Sequence, residues 1–179
     1  MQPRLLLLLL ACLAGPALVP AHAATQAFEV GTNTTADLPR GKEADGIAGD
    51  FVLRNDRVEL LISHNAPLRR ANMSTFYGAD GITPGCLYDL GLRGADNDQI
   101  VVFAPLNQRG TVSHVRIVSD GRDGVAEVET LVDAPRNRGV HKQHLYRLTD
   151  QDQGVLIVSR LRNDGTETRE GTLEDTWTR

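Results

Sequence analysis

The chain of 179 residues has few aromatic side chains and little cysteine: it contains one Trp, three Tyr, four Phe and two Cys. So few rings weaken the case for a platform on which sugars would stack. No block of Lys or Arg marks a surface for nucleic acid or lipid, and the formal net charge is −4. The composition indicates a mildly acidic protein with no nucleic-acid partner.

The longest apolar run lies at the N-terminus, where one positive charge, Arg4, precedes it. Ala21-His22-Ala23 then supplies a small-x-small cleavage pattern, so we expect residues 1–23 to be a secretory signal peptide. The run is too short and too poorly flanked for a transmembrane segment. We therefore predict export to the periplasm or the extracellular space, with lipid anchoring through Cys12 as the minor alternative.

Cleavage after Ala23 would leave Cys86 as the single cysteine, which excludes a disulfide within the chain. A lone cysteine in an oxidising compartment is either buried or paired with another chain. The neighbours of Cys86 form an apolar-leaning run, Gly85-Cys86-Leu87-Tyr88. We expect this thiol to be buried.

The most regular alternation of apolar and polar residues is "GDFVLRNDRVELLIS", residues 49–63. Asn55-Asp56 predicts a two-residue turn, so that Arg54 would face Arg57. That pairing places five apolar side chains on one face: Phe51, Leu53, Val58, Leu60 and Ile62. Nothing on the other face converges into a chemical group, and we interpret the stretch as scaffold.

Further β-prone runs follow at near-regular spacing, with turn residues between them. They cover Val112–Ser119, Gly124–Val132, Val140–Leu148, Val155–Arg162 and, more weakly, Glu167–Trp177. If Ser119 pairs with Gly124, then Arg116 faces Glu127 and His114 faces Glu129, and both are favourable cross-strand pairs.

These patterns predict an all-β fold, since no helical period follows the signal peptide. The expected architecture is an antiparallel β-sandwich over residues 45–179, with an incomplete supersandwich as one form of it. Residues 24–44 are expected to be an extended N-terminal segment.

The segment 64–99 interrupts the spacing of the strands, with one short strand expected around Cys86–Leu90. A polar loop of this length is typical of a binding loop or of an ordered cover over the sandwich. It contains the densest group of hydrogen-bond donors, Arg69, Arg70 and Asn72, followed by the ring of Tyr77. These side chains are candidate binding residues for a carboxylate or a sugar hydroxyl, with a solvated basic turn as the alternative.

Two histidines, His141 and His144, complete the candidate binding residues. Their offset of three puts them on opposite faces of a strand, which argues against a metal pair. The same alternation places His144 beside Tyr146 and Leu148, so we expect it to be packed.

Motifs for catalysis, metal or cofactor binding are missing from the sequence. Asp96 and Asp98 could offer oxygens to calcium, but the rest of an EF-hand is absent, which favours a solvated turn. There is no H-E-x-x-H and no G-x-S-x-G. The sequence therefore predicts no catalytic residue, no metal ligand and no cofactor.

The runs "GDFVLRNDRVELLIS", "RRANM", "LYDLG" and "NDQIVVFAPL" resemble the N-terminal region of large exported bacterial proteins of planctomycete type. The resemblance covers about residues 45–108. In such proteins further modules follow, among them carboxypeptidase-regulatory-like β-domains or a PHP-type metallohydrolase domain. The resemblance implies that the chain is the N-terminal part of a longer protein, with the sandwich truncated at its C-terminus.

The run "HLYRLTDQDQGVLIVSRLRNDGTETREGTLEDTWTR" is similar in layout to galactose-mutarotase-like supersandwich domains. In those domains a functional histidine follows the matching strands. Here the neighbourhood, residues 173–177, has no histidine. The resemblance therefore implies a fold without implying the activity.

Together these observations favour a non-catalytic, exported β-sandwich module, acting as a scaffold or binding domain of a larger protein. Its expected partners are a carbohydrate or cell-envelope ligand and the downstream domains of the same protein. Two alternatives stay open: a carbohydrate-acting enzyme of the mutarotase-like type, and the leader module of a PHP-type metallohydrolase.

Overall fold

The protein is all-β, with two antiparallel sheets packed as a β-sandwich. The computed structural model describes residues 24–42, 44–65, 84–97 and 99–178. The first sheet has the order β1-β2-β3-β4-β5-β10 and the second the order β6-β7-β8-β9. The predicted fold class is confirmed.

The strand bounds follow the alternating patterns of the sequence. The first sheet contains β1 (Gln26–Glu29), β2 (Phe51–Arg54), β3 (Val58–Ile62), β4 (Leu87–Leu92), β5 (Val102–Ala104) and β10 (Thr176–Thr178). The second contains β6 (His114–Asp120), β7 (Val125–Val132), β8 (Val140–Thr149) and β9 (Leu156–Asn163). Short 3-10 turns lie at Thr35–Asp37 and Pro105–Asn107.

The main core lies between the sheets and is built from the apolar face of each strand. It contains Ala27, Phe51, Leu53, Val58, Leu60, Ile62, Leu87, Ala126, Val128, Tyr146 and Leu148. The carbonyl of Gly85 accepts hydrogen bonds from the Tyr146 and Thr130 hydroxyls, at 3.0 and 2.8 Å. The two buried hydroxyls are thereby paired, as burial requires.

A second apolar cluster covers the outer face of the first sheet. It contains Val30, Val52, Leu61, Cys86, Tyr88, Val101, Val102 and Ala104. Cys86 is a free thiol with no exposed surface, so its predicted burial is confirmed. Burial raises the pKa of this thiol to about 12, which leaves little of the reactive thiolate.

The predicted register of the β2–β3 hairpin is wrong by two residues. Arg54 lies opposite Glu59, not Arg57, and Leu53 lies opposite Leu60. The Asn55 side chain closes a wider turn by accepting the N–H groups of Arg57 and Val58. A shift of two keeps every side chain on its predicted face, so the apolar face is the expected one.

The predicted β6–β7 register is wrong as well. Arg116 lies opposite Glu129 instead of Glu127, and a bulge falls between Ile117 and Ser119. His114 lies opposite Leu131 instead of Glu129, but it still contacts Glu129 diagonally, with His114 Nε2 2.8 Å from Glu129 Oε1.

The last strand is much shorter than the run Glu167–Trp177 that the sequence indicated. Only β10 forms, and it pairs with β5 of the first sheet. β1 falls inside the segment 24–44 and pairs with β2. Within the described ranges, no helix has the length and apolar character needed to cross a bilayer.

Candidate functional site

Four of the predicted binding residues, Arg69, Arg70, Asn72 and Tyr77, lie outside the described residues. Asp98, one of the two carboxylates weighed for calcium, also lies outside them. The neighbouring Asn97 closes a turn, because its Oδ1 accepts the N–H of Leu92 at 3.1 Å. Within the parts of the chain that the structure covers, no three His, Cys, Asp or Glu side chains are placed to hold a metal ion.

His141 and His144 lie on opposite faces of β8, as their offset predicts. His144 is fully buried beside Tyr146 and Leu148, so its packed position is confirmed. Its Nδ1 is 2.8 Å from the Ser159 hydroxyl on β9. Burial, and then the charge of Lys142, lower the pKa of His144 to about 4, so the ring is neutral near pH 7. A ring with so low a pKa is a weak general base.

The best-defined binding geometry lies on the outer face of the first sheet, around Arg54. Arg54 stands between Gln26 on β1 and Glu59 on β3 in the sheet register. Its Nε donates to Gln26 Oε1 at 3.1 Å, and its Nη1 is 3.6 Å from Asp37 Oδ1. The guanidinium also covers the Phe28 ring, with Cζ 4.7 Å from the ring centroid.

The guanidinium of Arg54 is held in place and partly withdrawn from water. Only 18% of its side chain is exposed. Burial, followed by the positive charge of Arg93, lowers the pKa of Arg54 from its ordinary value. Arginine stays protonated at all ordinary pH values, so the site contains a fixed, incompletely solvated cation.

Arg93 and Glu59 extend this arrangement along the sheet. Arg93 Nη1 donates to Glu59 Oε2 at 3.1 Å, and the N–H of Gly94 donates to Glu59 Oε1 at 3.3 Å. The side chain of Glu59 is 13% exposed. One carboxylate thus joins the loop after β4 to the centre of the sheet.

Two clefts meet at Arg54 and Asp37, and we call them together the Arg54 groove. One has a volume of about 440 Å³ and is lined by residues 24–28, Asp37, Arg54 and residues 120–122. The other has a volume of about 310 Å³ and is lined by residues 36–38, Arg40, Arg54, Glu59, Arg93, Gly94 and Asp96.

The charges that line the Arg54 groove balance. Four arginines (Arg40, Arg54, Arg93 and Arg122) face four carboxylates (Asp37, Glu59, Asp96 and Asp120). Guanidinium groups only donate hydrogen bonds and carboxylates only accept them, whereas a hydroxyl does both. The groove therefore suits a neutral ligand with many hydroxyl groups better than an ion.

The sequence interpretation of residues 49–63 as scaffold missed this groove. Arg54 and Glu59 belong to that hairpin, but Asp37 and Arg93 come from segments before and after it. The alternation shows that Arg54 and Glu59 share a face, and a two-residue error in register hides that they are neighbours. No local pattern indicates that Asp37 and Arg93 join them.

A separate polar pair lies at the start of β2. Asp50 is fully buried, and its Oδ1 is 2.6 Å from His64 Nδ1 and 2.9 Å from the His64 N–H. Its Oδ2 accepts the N–H of Ile47 at 3.0 Å. The aspartate thereby fixes the imidazole orientation and ties the end of β3 to the start of β2.

Comparisons of this chain with models of protein families, with curated proteins and with solved structures found no match.

Proposed function

We propose that this chain is an exported β-sandwich binding module of a larger protein, and that it holds a carbohydrate in the Arg54 groove without catalysing a reaction. The observation that carries the proposal is the meeting of two clefts at one partly buried guanidinium, that of Arg54. Orientation by Gln26, Asp37 and Phe28 lowers the entropy lost when a ligand binds this group.

The balance of charge supports a neutral saccharide as the ligand. Neighbouring sugar hydroxyls offer a donor and an acceptor a few ångströms apart, and the groove is lined by equal numbers of arginines and carboxylates. Phe28 is already covered by Arg54, so recognition would depend on hydrogen bonds rather than on ring stacking.

Export and membership of a larger protein are supported by sequence. Residues 1–23 have the form of a signal peptide, with Cys12 as the alternative point of lipid attachment. Residues 45–108 carry the resemblance to exported multidomain proteins. In the alternative in which the chain is the leader module of a PHP-type metallohydrolase, the metal ligands would belong to a domain outside this sequence.

The enzyme alternative requires an acid and a base in one site. His141 and His144 lie on opposite faces of β8, and His144 is buried. The groove itself is lined by no histidine among the described residues. The geometry therefore favours binding over mutarotase-like turnover.

The test is calorimetric titration of the full chain with a panel of neutral oligosaccharides. We expect Arg54→Met to weaken the binding of the tightest ligand about tenfold or more, because methionine keeps an unbranched side chain but removes the charged donors. Arg136→Met is the matched control, since Arg136 pairs with Asp133 outside the groove. Its affinity should equal that of the wild type.

Proton NMR of the same mixtures follows the ligand and should show no product. Absence of binding across the panel, or equal affinity of the Arg54→Met and wild-type proteins, would contradict the proposed site. Turnover of a sugar that persists in Arg54→Met would favour the enzyme alternative.

A further inference from the structure

A row of polar side chains crosses the outer face of the second sheet, with one member on each strand. Glu129 on β7 accepts from Arg116 Nε on β6 at 2.8 Å. Gln143 on β8 donates its Nε2 to the other Glu129 oxygen. The Oε1 of Gln143 then accepts from Arg160 Nη1 on β9 at 3.3 Å.

Charge is distributed unevenly along this row. Glu129 is 7% exposed, whereas Arg116, which pairs with it, is 62% exposed. Burial acts to raise the pKa of Glu129, but hydrogen bonds from His114, Gln143 and Arg116 outweigh it and the pKa is lowered. Glu129 is therefore ionised, and its charge is paired with that of Arg116 at the β6 end of the row.

Arg160, at the other end, bonds only to a neutral amide. In the described part of the chain, no carboxylate lies within ion-pair distance of its guanidinium. The next arginine on this face of β9, Arg162, donates from Nε and Nη2 to both oxygens of Asp164, at 2.6 and 3.0 Å. Arg160 thus contributes a positive charge that no neighbouring side chain neutralises.

Arg160 faces a cleft of about 670 Å³ at the β8–β9 edge, which we call the Arg160 cleft. It is lined by His141, Gln143, Ser159, Arg160, Leu161 and Arg162. None of its described lining residues is acidic. Arg162 is paired with Asp164 and the Ser159 hydroxyl with His144, so the uncommitted cation of the cleft is Arg160. The Arg54 groove on the other sheet differs, because carboxylates line it in the same number as arginines.

We infer that the Arg160 cleft binds an oxyanion, either the carboxylate of an acidic saccharide or a phosphate group. Gln143 orients the guanidinium through its bond to Nη1, and Glu129 in turn holds Gln143. A planar guanidinium bonds the two oxygens of such a group in parallel. His141, on the strand beside Arg160, is close enough to line the same cleft.

The test titrates the full chain with two probes, oligogalacturonate and inorganic phosphate. We expect one of them to bind the wild type and Arg160→Gln to weaken that binding about tenfold. Arg147→Gln is the matched control, because Arg147 is exposed on the same face but pairs with Glu127. It should bind within about twofold of the wild type. The probe that binds more tightly shows whether the ligand of the cleft carries a carboxylate or a phosphate group.

The inference is overturned if neither probe binds, or if Arg160→Gln and Arg147→Gln weaken binding equally, which would indicate general attraction to a basic face. Arg54→Met should leave the affinity for the anionic probe unchanged. Failure of the Arg54 groove to bind neutral oligosaccharides therefore leaves this site standing, and the reverse also holds.

Discussion

At the scale of single residues, His144 shows how the fold constrains a titratable group. Its ring lies in the interior, with Nδ1 bonded to Ser159 and Nε2 buried without a hydrogen-bond partner in the described residues. A charged imidazole in this place would lose its hydration and meet Lys142, which explains the fall of its pKa to about 4.

This placement predicts a loss of stability in mild acid. Between pH 6.5, the ordinary pKa of histidine, and about pH 4, His144 is protonated in the unfolded chain but neutral in the folded protein. The free energy of unfolding should therefore fall as pH decreases through that window, by up to about 3 kcal/mol from this residue. Urea unfolding at pH 7, 6, 5 and 4 measures it.

His144→Gln keeps a polar contact for Ser159 but cannot titrate, so its stability should change less over the same range. His141→Gln, on the outer face, is the control and should keep the wild-type slope. Parallel pH profiles for the wild type and His144→Gln would show that the acid response comes from other groups.

Residue-level features were predictable where alternation decides them. The burial of His144 follows from its place in the pattern with Tyr146 and Leu148. Its bond to Ser159 was not predictable, because it depends on the register of β8 against β9. The roles of Arg54 and Glu59 were missed for the same reason.

At the scale of elements, the sequence predicted strands and faces far better than registers. The β2–β3 hairpin is displaced by two residues, and so is β6–β7 from His114 to Ile117, whereas Ser119 beyond the bulge is displaced by three. A shift of two leaves each apolar face intact, so a pattern of period two cannot detect it. Side-chain turn closure by Asn55 and the bulge after Ile117 fix the actual pairings. Neither has a clear signature in the sequence.

The β6–β7 turn offers a prediction at this scale. Gly121 has φ of +98°, and a Cβ built on it would lie 1.9 Å from the carbonyl oxygen of Thr25. Gly124, in the same turn, has φ of +78° but room for a Cβ, with Asp150 3.7 Å away. Gly121→Ala should therefore cost about 2–4 kcal/mol of stability, and Gly124→Ala about 1 kcal/mol.

Urea or thermal unfolding of the two variants provides the measurement. Equal losses would mean that the turn does not press against the chain before β1. Such a result would also question the bonds that join Thr25 to Asp150 beside the same turn.

At the scale of the whole molecule, the two sheets differ in width, and the sandwich is open at one flank. Trp177 on β10 lies opposite Phe103, whose side chain packs against the main core. Cross-strand partners share a face, so Trp177 points to the inner side of the first sheet. It is nevertheless 56% exposed, and Leu161 on β9 is 47% exposed.

This flank can be observed directly, because Trp177 is the single tryptophan of the chain. We expect emission typical of a solvated indole and strong quenching by acrylamide, with little further red shift on unfolding. Trp177→Ala should cost about 1–3 kcal/mol of stability, less than the roughly 3–5 kcal/mol of a fully buried tryptophan, since much of the ring stays in water. Blue-shifted, poorly quenched emission would show instead that the flank is covered in solution.

The return of β10 to the first sheet predicts an order of assembly. Strands β6 to β9 are joined to one another by short turns, so the second sheet can form from contacts that are local in sequence. β10 pairs with β5 across a loop of roughly 70 residues. Closing this loop costs chain entropy, which delays the contact between the two strands. The meander should therefore be the early folding unit, with β10 the last strand to join.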